Sequence, residues 1–233
     1  MSKILVTGGA GFIGSHIVDR LLNDGHEVVV IDNFVTGREE NVNPKAMLHR
    51  LDISNYEDIV PSFKGVEVVF HCAALARIQP SISNPLPGNS SNISGTLNVL
   101  WAAKNAGVKK LIYCASSSIY GDQEPDQYPL KETTEPRPGS PYSLQKFVGE
   151  QYCKLFSKLY GLPTVILRYF NVYGPRELTE GAYAAVIGIF LKQRQEGKPM
   201  TITGTGEKRR DFTHIDDVVE ANMRAMRCRG AFN

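Results

Sequence analysis

A doubly wound, parallel α/β sheet followed by a small C-terminal lobe is the fold predicted by this 233-residue sequence. Three observations predict it. Short apolar runs alternate with segments of helical apolar periodicity, as in chains that build parallel sheets from strand–helix–strand units. The first run, Ile4 to Thr7, stops at Gly8-Gly9-Ala10-Gly11, and Phe12-Ile13-Gly14 then opens a helix with Ile13, Ile17, Val18, Leu21 and Leu22 on one face. The second run, Val28 to Ile31, ends on Asp32-Asn33. At 42% hydrophobic, the chain can bury a large core.

The glycine turn carries chemistry as well as shape. Two spacings can be read in it, Gly9-x-Gly11-x-x-Gly14 and Gly8-x-x-Gly11-x-x-Gly14. Glycines let the chain turn sharply and bring backbone N–H groups against a pyrophosphate, which the helix N-terminus faces with its partial positive charge. A glycine-rich turn that binds nothing is the alternative. Asp32 weighs against it, because a carboxylate about 20 residues past the fingerprint accepts hydrogen bonds from both adenosine ribose hydroxyls. That carboxylate would also repel a 2′-phosphate, so NAD is favoured over NADP.

The remaining elements follow in order. Residues 33–45 are polar and read as a loop with a short helical piece. Residues 46–51 form a strand that ends at Asp52-Ile53. Ser54 is placed to cap a helix over residues 55–63, with Glu57 completing a capping box. Residues 66–70 are a strand running into His71-Cys72-Ala73-Ala74, where small side chains serve either a nearby ligand or tight packing. Residues 80–91, rich in Ser, Pro and Asn, read as loop. A helix covers residues 92–106, with Ile93, Leu97, Leu100 and Trp101 on one side and Gly107 closing it. Residues 109–114 are a strand leading into Ser116-Ser117-Ser118, and the proline-rich stretch 122–141 is a surface loop. A long helix over 142–160 is stopped by Gly161 and Pro163, and residues 164–168 are the next strand. Beyond Pro175 the pattern loosens into a helix over 182–195, a short strand over 200–203 and a helix over 216–227. The domain division is therefore 1–175 for the sheet and 176–233 for a partial lobe.

Composition narrows the function classes. A formal charge of +2 carries no polyanion signature, and the basic trio Lys208-Arg209-Arg210 stands alone, so no nucleic-acid partner is expected. The four cysteines (Cys72, Cys114, Cys153, Cys228) are widely spaced with no C-x-x-C pair, which reads as buried free thiols in a reducing compartment. No metal site is read. No apolar run approaches bilayer-spanning length, and Met1-Ser2-Lys3 leads straight into a strand. The expectation is a cytoplasmic protein with no membrane partner.

Of the ten tyrosines only Tyr142 has a lysine four positions later, Lys146. On a helix the two share a face, and a nearby cation favours phenolate, which lets a phenol act as acid and base near neutrality. A surface helix also produces this spacing often. Position argues for a site, because ligands of parallel sheets bind at the carboxyl ends of the strands. The glycine turn, Asp32, Ala73-Ala74, Ser116 and Asn171 all follow strands and converge on that edge. Simple polar capping is the alternative for the serines.

Together, Thr7 to Gly14, Asp32-Asn33, Asp52-Ile53, Ala73-Ala74, Asn92, the serine run before Ile119-Tyr120-Gly121, Ser140-Pro141-Tyr142-x-x-x-Lys146, Arg168 to Asn171 and Arg210-Asp211-Phe212 occur in one order along the whole chain. In this the chain resembles the extended short-chain dehydrogenase/reductases, specifically the NAD-dependent nucleotide-sugar epimerases and dehydratases. It looks most like the UDP-sugar 4-epimerases. Residues 181–187 and 74–81 resemble those acting on UDP-N-acetylhexosamines. The resemblance implies a Rossmann-type sheet and NAD as cofactor. It implies a cofactor site at Gly8, Gly11, Phe12, Ile13, Gly14, Asp32, Asn33, Gly37, Asp52, Ile53, Ala73, Ala74, Asn92, Tyr142, Lys146 and Phe170. Ser116, Ser118, Tyr142, Asn171, Ala185, Val186 and Arg210 would hold a UDP-hexose substrate. Tyr142 would remove the proton of the sugar 4-hydroxyl, Lys146 would hold the nicotinamide ribose and depress the tyrosine pKa, and Ser116 would hydrogen-bond the reacting oxygen.

Two other readings stay open. A 4,6-dehydratase or decarboxylase shares the family, but dehydratases carry an Asp-Glu pair after the serine or threonine, and decarboxylases keep the glutamate. Here those positions are Ser117 and Ser118. The other reading is a nucleotide-binding protein without turnover, since Ala231-Phe232-Asn233 looks like the opening of a strand and the lobe reads as truncated. The family resemblance also implies a homodimer through the helix near Asn92 and the helix carrying Tyr142, with Phe147, Leu155, Phe156 and Leu159 as candidate contacts.

Overall fold

Alternation along the strands decides which face of the sheet each side chain enters. Leu5, Val29, Val69 and Leu111 point to one side, while Ile4, Val28, Phe70 and Ile112 point to the other. Both sets are buried, so helices must cover both faces. A computed structural model describes residues 1–179, 186–202, 204–207 and 209–228.

The order is β1 (Lys3–Thr7), α1 (Phe12–Asn23), β2 (Glu27–Asp32), β3 (Met47–Arg50), α2 (Tyr56–Ile59), β4 (Val68–His71), α3 (Ile78–Ser83), α4 (Pro85–Gly88), α5 (Thr96–Asn105), β5 (Lys110–Ser116), α6 (Pro141–Tyr160), β6 (Thr164–Tyr169), β7 (Asn171–Tyr173), α7 (Val186–Gln195), β8 (Phe212–His214) and α8 (Ile215–Arg227). Strands β1 to β6 form one six-stranded sheet in the order β3-β2-β1-β4-β5-β6. Every pairing is parallel. This is the Rossmann topology, with the order reversing between β1 and β4, where a crevice opens.

Helices α2, α5 and α6 cover one face, where Ile59, Val99, Leu100 and Phe156 meet the strands. Helices α1 and α8 cover the other, where Ile17, Val18 and Leu21 meet Ile215, Val218 and Met223. The sequence assigned α8 to the C-terminal lobe; in the structure it lies on the sheet, because Ile215, Val218, Val219 and Met223 form a buried stripe at helical spacing. Lys110 Nζ fastens its C-terminal end by donating to the carbonyls of Ala225 and Met226, both at 3.3 Å.

Four local expectations need correction. Residues 80–91 are mostly helical, because α3 and α4 run into a π-helical stretch over Asn89–Gly95 that continues as α5. Pro85 causes no break there, since it sits in the first turn of α4, where no amide donor is required. Ser54 does not cap α2: its amide is drawn to Asp52 Oδ1 at 2.8 Å, and Asn55 takes the cap position. No strand forms at residues 200–202, and residue 203 lies outside the described residues. Two three-residue strands escaped notice, β7 and β8, which pair parallel in a small second sheet.

Long helix α6 is started by a reciprocal cap. Ser140 Oγ accepts the Ser143 amide at 3.2 Å, and Ser143 Oγ accepts the Ser140 amide at 2.9 Å, with Pro141 in the first helical turn. On its outer face Leu155, Leu159 and Tyr160 are exposed, and Tyr160 packs edge-on against Trp101 of α5 with ring centres 5.7 Å apart, whereas Phe156 turns into the core.

Beneath the crevice, His71 is fully buried and bridges three elements. Its Nδ1 lies 2.7 Å from Thr7 Oγ1 and its Nε2 lies 2.9 Å from Thr96 Oγ1. Thr96 in turn donates to the Asn92 carbonyl at 2.7 Å, and Thr7 accepts the Ala73 amide at 3.3 Å. That directionality fits a neutral ring with its proton on Nε2. Burial, and then the Lys146 charge, push the His71 pKa from 6.5 down to about 3. The unfolded chain takes up a proton on this histidine near pH 6.5, while the folded chain does not until far lower pH. Its contribution to stability is therefore complete above pH 6.5 and lost as pH falls toward 3. Relative to His71→Gln, the wild-type chain should lose on the order of 2 kcal/mol more unfolding free energy between pH 6.5 and pH 5, measured by urea titration at both pH values.

Candidate active site

The carboxyl ends of β1, β2, β4 and β5 open into a cavity of about 1510 Å³. Single small-molecule sites run to roughly 1,000 Å³, so this one has room for two ligands. Its floor begins at the glycine turn. Gly8 has φ +73°, and a Cβ there would sit 2.7 Å from the Ala73 amide nitrogen; a Cβ on Gly14 would overlap the Gly8 carbonyl. The missing side chains let β1, α1 and β4 meet with bare backbone, which leaves amides for an anion. Gly11, Phe12 and Ile13 line the same wall.

Asp32 closes the next edge. Its Oδ2 accepts the Ala10 amide at 2.9 Å and its Oδ1 accepts the Phe34 amide at 2.8 Å. Burial raises its pKa, and the two amide bonds act against that rise. A Cβ on Gly37 would lie 2.7 Å from Asp32 Oδ1, so Gly37 makes room for the carboxylate rather than lining the cavity. Asn33 Nδ2 donates to Asp52 Oδ2 at 2.8 Å, and Asn33, Asp52, Ile53, Ala73 and Ala74 all line the wall.

Asn92 is placed differently from its expected role. It is buried behind the wall, where its Oδ1 accepts the Leu75 amide at 2.8 Å and its Nδ2 donates to the Leu75 carbonyl at 3.0 Å and to Gln145 Oε1 at 2.8 Å. With both ends of the amide occupied, it braces the strand end that carries Ala73 and Ala74.

Ser116, Tyr142 and Lys146 line the same cavity as the glycine turn. Ser116 Oγ accepts the Ser118 amide at 3.2 Å and donates to Ser118 Oγ at 2.9 Å. Tyr142 is held at the start of α6, where its amide donates to Ser81 Oγ at 3.1 Å. Lys146 is buried, and its Nζ donates to the Cys114 carbonyl at 2.8 Å and lies 4.9 Å from the centre of the Tyr113 ring. One expectation fails here. The Tyr142 phenol is not depressed: burial raises its pKa, and the opposing influences are Ser116 and the Arg77 charge, not Lys146. Four residues along the helix, the lysine runs down to the end of β5 instead of toward the phenol. Burial also lowers the Lys146 pKa, against the neighbouring thiols and Glu150.

At the far end, Phe170, Asn171 and Arg210 line the cavity. The Asn171 side chain donates to the Asp211 carbonyl at 2.9 Å, so pairing of β7 with β8 brings the segment carrying Arg210 to the site. Val186 is exposed and off the wall, and Ala185 lies outside the described residues. Arg77 and Glu177 also line the cavity, and sequence reasoning missed both. Their available signal was position after the ends of β4 and β7. Buried Glu150 Oε1 and Oε2 accept from Arg168 Nε at 2.9 Å and Nη2 at 2.8 Å, and Arg168 reaches on to the Tyr120 hydroxyl at 3.0 Å. This bidentate pair ties α6 to β6 beside the site.

A model of the NAD dependent epimerase/dehydratase family matches residues 4–232. A putative UDP-glucose 4-epimerase of Methanocaldococcus jannaschii is 43% identical over 225 residues, covering 96% of this chain and 73% of that protein. The structure of a UDP-glucose 4-epimerase of Thermotoga maritima with UDP-glucose superposes with a TM-score of 0.94 at 41% identity, covering 97% of this chain and 73% of the other. A UDP-N-acetylglucosamine 4-epimerase of Methanobrevibacter ruminantium in complex with UDP-N-acetylmuramic acid gives 0.93 at 40% identity, covering 99% and 74%. No helix among the described residues is long and apolar enough to cross a membrane. The bare glycine cradle, the acid ending β2 and the doubled cavity all fit the cofactor for which the matched family is named. By sequence and by fold, this chain belongs to the NAD-dependent epimerase/dehydratase family.

Proposed function

We propose that the chain is a UDP-sugar 4-epimerase that inverts C4 of a UDP-hexose, glucose/galactose or its N-acetylated form. The observation carrying this reading is that Ser116, Tyr142 and Lys146 line one cavity with the glycine turn. NAD, when bound, supplies the hydride acceptor. Tyr142 takes the proton of the 4-hydroxyl, and Ser116 donates a hydrogen bond to the same oxygen as charge shifts onto it. Burial works against the phenolate, so the base depends on Ser116 and on the Arg77 charge to offset it. Lys146, anchored on the Cys114 carbonyl, holds the nicotinamide ribose. Asn171 positions the diphosphate-sugar, and Arg210 neutralises the diphosphate. Inversion needs a 4-keto sugar to turn over inside the site, for which a cavity of about 1510 Å³ leaves space.

Ser117 and Ser118 favour this reading over a dehydratase or decarboxylase, since neither hydroxyl replaces a carboxylate acid or base. Exposed Leu155 and Leu159 on α6, with exposed Trp101 on α5, favour a homodimer joined through these two helices.

Solution measurements on the wild-type chain and two variants check the proposal. NMR of the protein with NAD and either UDP-glucose or UDP-N-acetylglucosamine should reveal the C4 epimer; a stable 4-keto-6-deoxy product would sink the reading. Tyr142→Phe should lower turnover by about a thousandfold or more, within the range of lost acid–base catalysis, with NAD affinity unchanged by calorimetry. Asp32→Asn should weaken NAD binding by about tenfold, as for a lost hydrogen bond to a charged group. It should also narrow the preference over NADP. In the wild-type chain NAD affinity should fall with acid from above the ordinary carboxylate range, because burial raises the Asp32 pKa, and the variant should lack that limb. Sedimentation at micromolar concentration should report a dimer.

A further inference from the structure

Two of the four cysteines, 42 positions apart, meet under the site. Pairing of β4 with β5 sets Phe70 opposite Ile112 and His71 opposite Tyr113, and one step further brings Cys72 level with Cys114. Neighbouring strands lie about 4.8 Å apart, within the Cα separation that a disulfide spans. The two sulfurs are 3.2 Å apart, with both cysteines free. Both residues line the cavity, and Cys72 is partly exposed to it.

We infer that Cys72 and Cys114 form an oxidisable dithiol that a small peroxide converts to a disulfide, weakening cofactor binding. The two thiols give up two protons and two electrons, an S–S bond forms, the peroxide O–O bond breaks, and two waters leave when the oxidant is hydrogen peroxide. Of the two, Cys114 is the one whose thiol pKa is lowered. The Cys72 hydrogen bond holds its thiol below the ordinary range, helped by the Tyr169 hydroxyl at 3.3 Å and the Lys146 charge and opposed by burial.

Bond formation draws the sulfurs from 3.2 Å to about 2.05 Å. Both ends of that movement reach the floor of the cavity. The Cys114 carbonyl holds the Lys146 ammonium, and Cys72 precedes Ala73, whose backbone abuts Gly8. The oxidised protein therefore holds its ribose-binding lysine and its glycine turn out of register.

The full chain, reduced and then exposed to hydrogen peroxide, tests this without relying on turnover. Proteolysis and mass spectrometry under non-reducing conditions should recover a peptide pair linked through residues 72 and 114, with loss of two titratable thiols. NAD affinity by calorimetry should fall about tenfold and return on addition of dithiothreitol. Cys72→Ala and Cys114→Ala, each compared with its own reduced state, should show no dithiothreitol-reversible loss. Absence of the linked pair, or a linked pair with unchanged NAD affinity, would overturn the inference.

Discussion

The close approach of Gly8 to the Ala73 backbone is the constraint on which the site depends. Strands β1 and β4 are the pair at which the sheet order reverses, and a parallel sheet leaves an open crevice there only if the chains leaving the strands can diverge. A Cβ at Gly8 would stand 2.7 Å from the Ala73 amide nitrogen and would force the two strand ends apart. Without it, the turn, the end of β4 and the N-terminus of α1 share one wall. The His71 relay beneath, running from the Ala73 amide through Thr7 to Thr96, then locks those strand ends to α5.

Four ionisable groups in or beneath the site move in the direction burial dictates. Asp32 and Tyr142 are raised, while Lys146 and His71 are lowered. All four shifts favour the uncharged form. A site built this way is tuned to ligands that bring compensating dipoles and charges.

Much of this was legible from residue order. Strands β1, β2, β4 and β5 are unbroken apolar runs, which only a sheet covered on both faces accommodates, and the acids and serines at their ends therefore had to gather at one edge. What stayed hidden was geometry that spacing does not encode. Pro85 and Pro87 look like breakers until Asn84 Oδ1 is seen accepting the Leu86 amide at 3.2 Å, which makes them first-turn residues of a helix. Strands β7 and β8 have three residues each, too few for any period to register. Asn92 was singled out by its family pattern, yet only the packing of α6 discloses that Gln145 occupies its amide. Cys72 and Cys114 meet because β4 and β5 are neighbours, a fact of topology rather than of composition. Tyr142 and Lys146 line one cavity, as a shared helix face implies, but they do not act as an electrostatic unit, since that face does not determine where a four-carbon stem ends.

The position of α8 has a consequence for how the chain is made. Phe70, Ile112 and Val165 are all synthesised before residue 166, but the helix that shelters them comes from residues 215–227. A ribosome adding roughly 5–20 residues per second thus leaves the β5–β6 part of this face of the sheet, which α1 does not reach, bare for several seconds. During that interval the apolar side chains of β5 and β6 that α8 later covers are open to association with other chains.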